Sequence, residues 1–199
     1  MESIYGNHLP EMEKVMKDIL DRIEILRADL TMKYGMDPIE HCLSRIKAED
    51  SMREKCRRNN LPETTESALN VLTDSIGIRI VCAFLSDVYR VVEYLKSFPD
   101  LTVVTEKDYI RNVKPNGYRS YHMILKTESG YFAEIQLRTI SMDTWAALEH
   151  HLKYKKELGS NVDLIRNELL RCANELASTD VSMQAIRDWI FETKKGETK

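Results

Sequence analysis

In Gly77-Ile-Arg-Ile-Val-Cys-Ala-Phe84 the periodicity of the sequence changes from that of a helix to that of a strand. The stretch is short, apolar and rich in β-branched residues, as is typical of a buried strand. A predicted helix over about 87–97 follows, and Leu101-Thr-Val-Val-Thr105 is predicted as the next strand. This strand–helix–strand unit places a sheet at the centre of the chain.

Two further strands, over 118–126 and 131–139, are predicted to form a hairpin around Glu128-Ser129-Gly130, where Gly130 can supply a positive φ. Because side chains alternate along a strand, one face is polar and the other apolar. The polar set is Tyr118, Ser120, His122, Glu134, Gln136 and Arg138, and the apolar set is Tyr121, Met123, Leu125, Ala133, Ile135 and Leu137. In this register His122 lies opposite Gln136, and Ser120 lies opposite Arg138. Carboxylate, imidazole and guanidinium groups at such spacing are costly to assemble without a ligand.

Helices are predicted before and after these strands in the sequence. An apolar seam with heptad spacing is formed by Met12, Met16, Ile19, Ile23, Leu26 and Leu30. Asp37-Pro38 predicts the start of a second helix that runs to about Asn59, and residues 65–68 predict a short third one. From Met142 onward the pattern is helical again, in two pieces broken near Gly159-Ser160. The sequence therefore predicts an α+β fold with a single mixed β-sheet of about five strands flanked by helices.

Composition narrows the class of protein. The 199 residues are 43% hydrophobic and 31% charged, as in globular chains, and the formal net charge of −3 argues against bulk electrostatic binding to nucleic acid or an acidic membrane. No apolar run approaches the roughly 18–20 residues that a bilayer-spanning helix needs, and the start of the chain lacks a signal-peptide pattern. The cysteines, at 42, 56, 82 and 172, are far apart and indicate reduced core thiols. We expect a cytoplasmic protein without a membrane partner.

Residues 107–122 carry the richest candidate chemistry. With His122 counted, this window holds five basic residues and one acid. Pro115-Asn116-Gly117 predicts a tight turn whose backbone N–H groups can meet an anion. Tyr118 follows at the predicted strand start, where an exposed ring can stack on a base. A solvated basic loop before an edge strand explains the same pattern, and spacing alone leaves both interpretations open.

Two carboxylates and a second basic group lie elsewhere in the sequence. Asp74 precedes the Gly77 strand, and if it meets Glu134 in space the pair can hold Mg²⁺ through hard oxygen ligands. A carboxylate at such a junction also caps turns, which is the plainer interpretation. The second basic group is Arg45, Lys47, Lys55 and Arg58, of which Arg45, Lys55 and Arg58 are predicted to share one helical face. These cations either bind phosphate oxygens or form a solvated surface.

Five motifs follow one another through the middle of the chain. They are Asp74-x-x-Gly77-x-Arg79, Lys107-Asp-Tyr-Ile, Lys114-Pro-Asn-Gly-Tyr-Arg-Ser-Tyr-His122, Glu134-Ile-Gln-Leu-Arg-Thr139 and Trp145-Ala-Ala-Leu-Glu-His150. Over about residues 40–157, their order and spacing resemble the synthetase domain of RelA/SpoT-type alarmone synthetases. Long members of that family carry a His-Asp hydrolase domain and regulatory domains. This chain has no His-Asp dipeptide and no room for those domains, so it resembles a stand-alone small alarmone synthetase.

The resemblance implies a nucleotidyltransferase-like synthetase domain that acts in the bacterial stringent response and has no hydrolase activity. It would transfer the β,γ-pyrophosphate of ATP to the 3′-hydroxyl of GDP or GTP, with GMP also compatible, to give (p)ppGpp and AMP. Asp74 and Glu134 are implied as catalytic residues that hold Mg²⁺, and Glu134 also helps to deprotonate the 3′-hydroxyl. The implied ATP-binding residues are Arg45, Lys47, Ser51, Lys55, Arg58 and Arg79, with Arg45 and Arg79 sandwiching the adenine. The implied guanosine-nucleotide residues are Lys107, Lys114, Asn116, Tyr118, Ser120, His122 and Gln136, with Tyr118 stacked on guanine.

The resemblance also implies a division of the chain and an assembly. We expect an N-terminal oligomerisation helix over 1–36, the synthetase domain over 37–157 and a C-terminal helical extension over 158–199. Small members of the family are typically tetramers built through terminal helices, so we expect a homotetramer with Met16, Ile19, Ile23 and Leu26 at a subunit contact. Regulation by an alarmone or by single-stranded RNA is compatible with the family. Two positions depart from its pattern: Ser44 replaces a usual Gly, and Asp143 replaces an Asn that contributes to an alarmone site in some members.

Two other functions remain open. The first is a nucleotide- or single-stranded-RNA-binding regulator built on a synthetase fold. Asp74 and Glu134 argue against it, because a protein that only binds anions has no use for two carboxylates without a metal. The second is an oligomeric scaffold driven by the heptad seam, which explains the N-terminal helix and nothing in the hairpin.

Overall fold

The computed structural model describes residues 2–153 and 162–196, and the predicted break near Gly159-Ser160 lies outside them. In chain order the elements are α1 Leu9–Tyr34, β1 Ile39–Ile46, α2 Glu49–Arg58, a π-helical turn Ser67–Val71, β2 Ile76–Cys82, α3 Leu85–Lys96, β3 Leu101–Asp108, β4 Tyr121–Thr127, β5 Phe132–Thr139, α4 Ile140–Lys153 and α5 Val162–Gly196. Within those ranges, no helix is both long and apolar enough to span a bilayer.

The strands form one mixed sheet in the order β1-β2-β5-β4-β3. β2 and β5 run parallel, and the other neighbouring pairs are antiparallel. The six apolar hairpin side chains predicted to pack behind the polar face are all buried. All four cysteines are free thiols, and two of them are fully buried. The predicted α+β fold with five strands is therefore confirmed.

Helix α1 packs on its own chain. Its buried side chains are Met12, Val15, Ile19, Ile23, Leu26 and Leu30, and they contact the side of the sheet formed by β1 and β2. A helix that packs on a sheet buries a stripe with the 3.6-residue period of the helix rather than a strict heptad seam. Val15 is therefore buried, where the sequence predicted Met16. Because Ile19, Ile23 and Leu26 are buried within the chain, our expectation that they form a subunit contact is wrong. The homotetramer itself stays a prediction.

The segment predicted as one helix over about 37–59 contains two elements. β1 pairs antiparallel with β2, and α2 begins only at Glu49. β1 is an edge strand with mostly exposed side chains, so it lacks the alternation that marks a strand, and pairing with β2 decides its conformation. Arg45 therefore does not share a helical face with Lys55, as the sequence predicted; it comes from the edge of the sheet.

The hairpin forms with the predicted register. His122 lies opposite Gln136, and Gly130 turns the chain at φ 89°. However, β4 begins at Tyr121 rather than Tyr118. The backbone before it is held in a turn, in which the Gly117 N–H donates to the Lys114 carbonyl at 2.8 Å and the Lys114 N–H donates to the Tyr118 carbonyl at 3.3 Å.

Candidate active site

A cleft of about 440 Å³ opens over β1, β2 and β5. Gly77 lies at its centre, paired with Arg45 of β1 on one side and with Glu134 of β5 on the other. The predicted site residues that line the cleft are Arg45, Lys47, Asp74, Arg79, Glu134 and Gln136. Residues from three separate stretches of sequence thus meet in one place.

Asp74 is the anionic centre of one half of the cleft. Lys47 from the end of β1 and Lys55 from α2 both donate to its Oδ2 at 2.5 Å. Burial raises the pKa of the Asp74 carboxyl, but these two hydrogen bonds outweigh burial and hold the pKa below its usual value. The buried Oδ1 has no hydrogen-bond partner among the described residues. Asp74 is therefore ionised and has one oxygen available for a cation.

Glu134 stands on the neighbouring strand. Its Oε2 accepts from Nε2 of Gln136 at 2.9 Å, and its Oε1 lies 3.6 Å from Nδ1 of His122. The nearby His122 imidazole is the main reason that the Glu134 pKa is lowered, although burial and the charge of Asp74 oppose it. The two carboxylates are hard oxygen donors of the kind that Mg²⁺ takes in proteins. Within 2–153 and 162–196, no three His, Cys, Asp or Glu side chains cluster as a metal site, so two carboxylates are what this cleft offers.

A chain of polar contacts leads to Glu134 from behind. Nη2 of Arg138 donates to the Tyr118 hydroxyl at 2.7 Å, and that hydroxyl lies 2.8 Å from Nε2 of His122. In the His122 tautomer with its proton on Nδ1, the hydroxyl accepts from Arg138 and donates to Nε2, and Nδ1 faces Oε1 of Glu134 at 3.6 Å. The chain thus fixes the imidazole beside the carboxylate.

The Tyr118 ring forms one side of a cationic and aromatic box. Arg138 and Lys114 lie 5.2 Å and 5.1 Å from its centroid, and Tyr109 meets it edge-on at 6.3 Å. Tyr109 also meets the His122 ring at 5.4 Å. A ring with its hydroxyl anchored and cations around it is a suitable platform for a nucleobase with attached phosphates.

Helix α5 fixes the loop that precedes Tyr118. Arg119 donates to the carbonyls of Gly117 and Ala173 at 3.0 and 3.2 Å, and to Oδ1 of Asn174 at 2.9 Å. Gly117 has φ 90°, and a Cβ atom there would lie 2.7 Å from Cβ of Ala173. Only glycine combines this backbone conformation with so close an approach to the helix.

Several predicted site residues lie away from the cleft. Ser51 is exposed on α2, and Arg58 is exposed beside Glu54 at 3.9 Å. Lys107 is exposed on β3 in register with His122. Ser120 is 0% exposed, where it donates to the Leu137 carbonyl at 3.1 Å and accepts from Arg138. The prediction that Ser120 contacts the nucleotide is therefore wrong for the described structure.

Asn116 lies in the loop rather than on the sheet. Its Oδ1 accepts from the backbone N–H of Tyr118 at 3.2 Å, and its Nδ2 donates to Oε1 of Glu149 at 3.4 Å. Asn116 therefore shapes the loop that presents Tyr118.

Sequence reasoning missed two residues of the site. The sequence predicts Arg138 on the polar face of the hairpin and assigns it no role, yet it is 5% exposed and anchors Tyr118. Asp143 stands out in the sequence only as a departure from the family, yet it pairs with Arg138 at 2.9 Å and with Arg79 at 3.4 Å. The available signal was a charged residue at a predicted strand end, followed five residues later by an acid.

Comparisons with known proteins identify the family of the chain. A family model described as the region found in RelA/SpoT proteins matches residues 44–159. GTP pyrophosphokinase YwaC of Bacillus subtilis is 40% identical over 172 residues, covering 82% of this chain and 81% of that protein. The structure of small alarmone synthetase 1 of B. subtilis bound to its product pppGpp superposes with a TM-score of 0.76 and 31% identity, over 90% of this chain and 94% of that one. The same synthetase bound to AMPCPP gives a TM-score of 0.69 and 30% identity, over 93% and 96% of the two chains.

Proposed function

The chain belongs to the family of RelA/SpoT alarmone synthetases, and from that premise we propose that it is a GTP pyrophosphokinase. It transfers the β,γ-pyrophosphate of ATP to the 3′-hydroxyl of GDP or GTP and releases AMP and (p)ppGpp. The observation that carries the proposal is that Asp74 and Glu134 line one cleft. Lysines bind Asp74, and Arg138 links the Tyr118 platform to Gln136 of the cleft.

ATP occupies the half of the cleft around Asp74. Lys47 and Lys55 share the single oxygen Oδ2 of Asp74 at 2.5 Å, so together they carry more positive charge than one carboxylate neutralises. The phosphates of ATP supply the missing negative charge. Arg45 on β1 and Arg79 on β2 both line the cleft near Gly77, which supports the proposal that they hold the adenine between two guanidinium planes.

The proposal includes Mg²⁺ held by Asp74 and Glu134. The buried Oδ1 of Asp74, without a protein partner in the described residues, fits a cation, and both carboxyl groups have lowered pKa values. Mg²⁺ usually takes one or two carboxylates and completes its octahedron with waters and substrate phosphates. When bound, it would neutralise charge that develops on the transferred pyrophosphate.

The guanosine nucleotide binds next to the Glu134 end of the cleft, with its base on the Tyr118 ring. Lys114 and His122 lie beside that ring. Glu134, oriented by His122 and Gln136, accepts the proton of the 3′-hydroxyl. The 3′-oxygen then bonds to the β-phosphorus, the bond from that phosphorus to the α,β-bridging oxygen breaks, and AMP leaves. Transfers of this kind depend on positioning and charge neutralisation rather than on a covalent nucleophile.

Incubation of the purified protein with ATP, GDP and Mg²⁺, followed by separation of the nucleotides, tests the proposal. We expect AMP and a guanosine nucleotide that carries a 3′-pyrophosphate in equal amounts. Binding of both nucleotides without AMP formation would instead support a nucleotide-binding regulator. If no AMP forms and a single-stranded RNA added to the same mixture binds tightly, the RNA-binding alternative would be supported.

A further inference from the structure

Asp143 connects the two halves of the cleft. Its Oδ1 lies 2.9 Å from Nη1 of Arg138 and 3.4 Å from Nη1 of Arg79. Asp143 stands in the first turn of α4, which follows β5 directly, while Arg79 belongs to β2. One carboxylate therefore pairs with two guanidinium groups at the point where these three elements meet.

The two arginines serve different nucleotides in the proposed function. Arg138 anchors the hydroxyl of Tyr118, whose ring carries the acceptor base, and Arg79 lines the part of the cleft proposed for ATP. Burial lowers the pKa of Arg79, and the positive charge of Arg138 lowers it further, while Asp143 opposes both effects. Without the shared anion, two cations in a half-buried site repel each other.

The two arginines depend on Asp143 to different degrees. Arg138 has other acceptors, since it also reaches the Tyr118 hydroxyl, Oε1 of Gln136 at 3.3 Å and Oγ of Ser120 at 3.4 Å. Arg79 is less well held: its side chain is 37% exposed, and its Nε has no hydrogen-bond partner in the part of the chain that the structure describes. Loss of the Asp143 charge should therefore displace Arg79 more than Arg138.

We infer that Asp143 is a positioning residue shared by both substrates, which holds Arg79 toward ATP and Arg138 behind the Tyr118 ring. This inference rests on the proposed function and deepens it, because it makes the two nucleotide subsites depend on one carboxylate. Asp143 acts through the arginines and needs no contact with either nucleotide.

Asp143→Asn tests the inference, because it removes the charge and keeps the shape of the side chain. The readout is calorimetric binding of a non-hydrolysable ATP analogue and, separately, of GDP, both with Mg²⁺. We expect the Kd of the ATP analogue to rise about tenfold and that of GDP about threefold, which are effects typical of losing one charged partner. Asp143→Glu keeps the charge and should recover most of both losses. Asp163→Asn, on the exposed start of α5, is the matched control and should change neither Kd.

A double-mutant cycle separates the two contacts. In an Arg79→Ala background, Asp143→Asn should no longer affect the analogue but should still weaken GDP. An unchanged Kd for either nucleotide in the single variant, with a normal thermal unfolding curve, would overturn the shared role. Since the readout is binding, the inference is judged apart from the transfer reaction. A wild-type protein that binds both nucleotides and forms no AMP contradicts the proposed function, while the Kd values of Asp143→Asn still decide the positioning role.

Discussion

Arg138 donates a hydrogen bond of 2.7 Å to the hydroxyl of Tyr118, and this bond determines how the acceptor half of the cleft is organised. It fixes the ring from behind, and the same hydroxyl lies 2.8 Å from Nε2 of His122, whose Nδ1 faces Glu134 at 3.6 Å. The residue proposed to bind the base and the residue proposed to accept the proton are thus linked through one imidazole. Changes at Tyr118 should affect binding and chemistry separately.

Replacing Tyr118 separates the ring from its hydroxyl. Tyr118→Ala should raise the KM of GDP by about 5- to 150-fold and leave the KM of ATP nearly unchanged, since base–aromatic stacking contributes about 1–3 kcal/mol. Tyr118→Phe should keep the KM of GDP within about threefold and lower kcat about tenfold, because His122 loses the bond that orients it. Tyr131→Phe, which removes a hydroxyl bonded to His8 outside the cleft, is the control. Equal effects of Tyr118→Ala on both nucleotides would show that the ring is a core element instead.

Gly117→Ala should damage the acceptor site selectively. The new Cβ would lie 2.7 Å from Cβ of Ala173 on α5, so the loop must move away from the helix. We expect the KM of GDP to rise at least about tenfold with little change for ATP. Gly130→Ala is a matched control, because Gly130 has φ 89°, close to the 90° of Gly117, but nothing lies within 4 Å of its added Cβ.

A second substitution tests the cause of that loss. Ala173→Gly in the Gly117→Ala background removes the clashing methyl group and should recover part of the GDP affinity, at a cost of about 1 kcal/mol in helix stability. If Gly117→Ala and Gly130→Ala give the same KM for GDP, the contact with α5 has no part in acceptor binding.

Asp180 should make stability depend on pH. Burial raises the pKa of its carboxyl, although Thr139 donates to it at 2.6 Å. A carboxyl whose pKa is higher in the folded than in the unfolded chain binds protons more tightly when folded, so its contribution to stability falls as pH rises through these two values. At pH 7 the Asp180 carboxyl is charged in both states, so burial of that charge destabilises the folded protein to its full extent. Asp180→Asn should therefore raise the free energy of unfolding by about 0.5–2 kcal/mol, the usual range for a stabilising substitution.

Denaturant titrations at two pH values check this sign. The difference between Asp180→Asn and the wild type should be positive at pH 7 and shrink toward acid pH, where the wild-type carboxyl is protonated in both states. Asp163→Asn, at a position with an 89% exposed side chain, should show no difference at either pH. A destabilised Asp180→Asn protein at pH 7 would mean that the charge itself is needed by its neighbours.

Much of the site could be predicted from the sequence because its residues lie in compact motifs. Strand alternation placed Glu134, Gln136 and His122 on one face, and the sheet register brings them together as predicted. The family resemblance drawn from those motifs is confirmed by the comparisons.

The remaining differences have physical causes. β1 is an exposed edge strand without an alternating pattern, so the local sequence does not mark it as a strand. Its pairing with β2 determines the strand conformation. Ser120 shares the periodicity of the polar face, but it is buried against Arg138, which donates to its Oγ. Strand periodicity alone does not predict which of two polar neighbours is buried beneath the other. The role of Asp143 depends on α4 turning back directly after β5, which is a tertiary event.

In the proposed reaction, Asp74 and Glu134 together support transfer of a pyrophosphate group. The most direct measurement is single-turnover product formation by wild type and Glu134→Gln with ATP, GDP and Mg²⁺, with each protein checked for a normal unfolding curve. The wild type should form AMP and 3′-pyrophosphorylated GDP in equal amounts. Glu134→Gln should stay folded and lose the rate by at least about a thousandfold, because it keeps the shape and removes the charge. A near-normal rate in Glu134→Gln, or ADP in place of AMP from the wild type, would contradict the account.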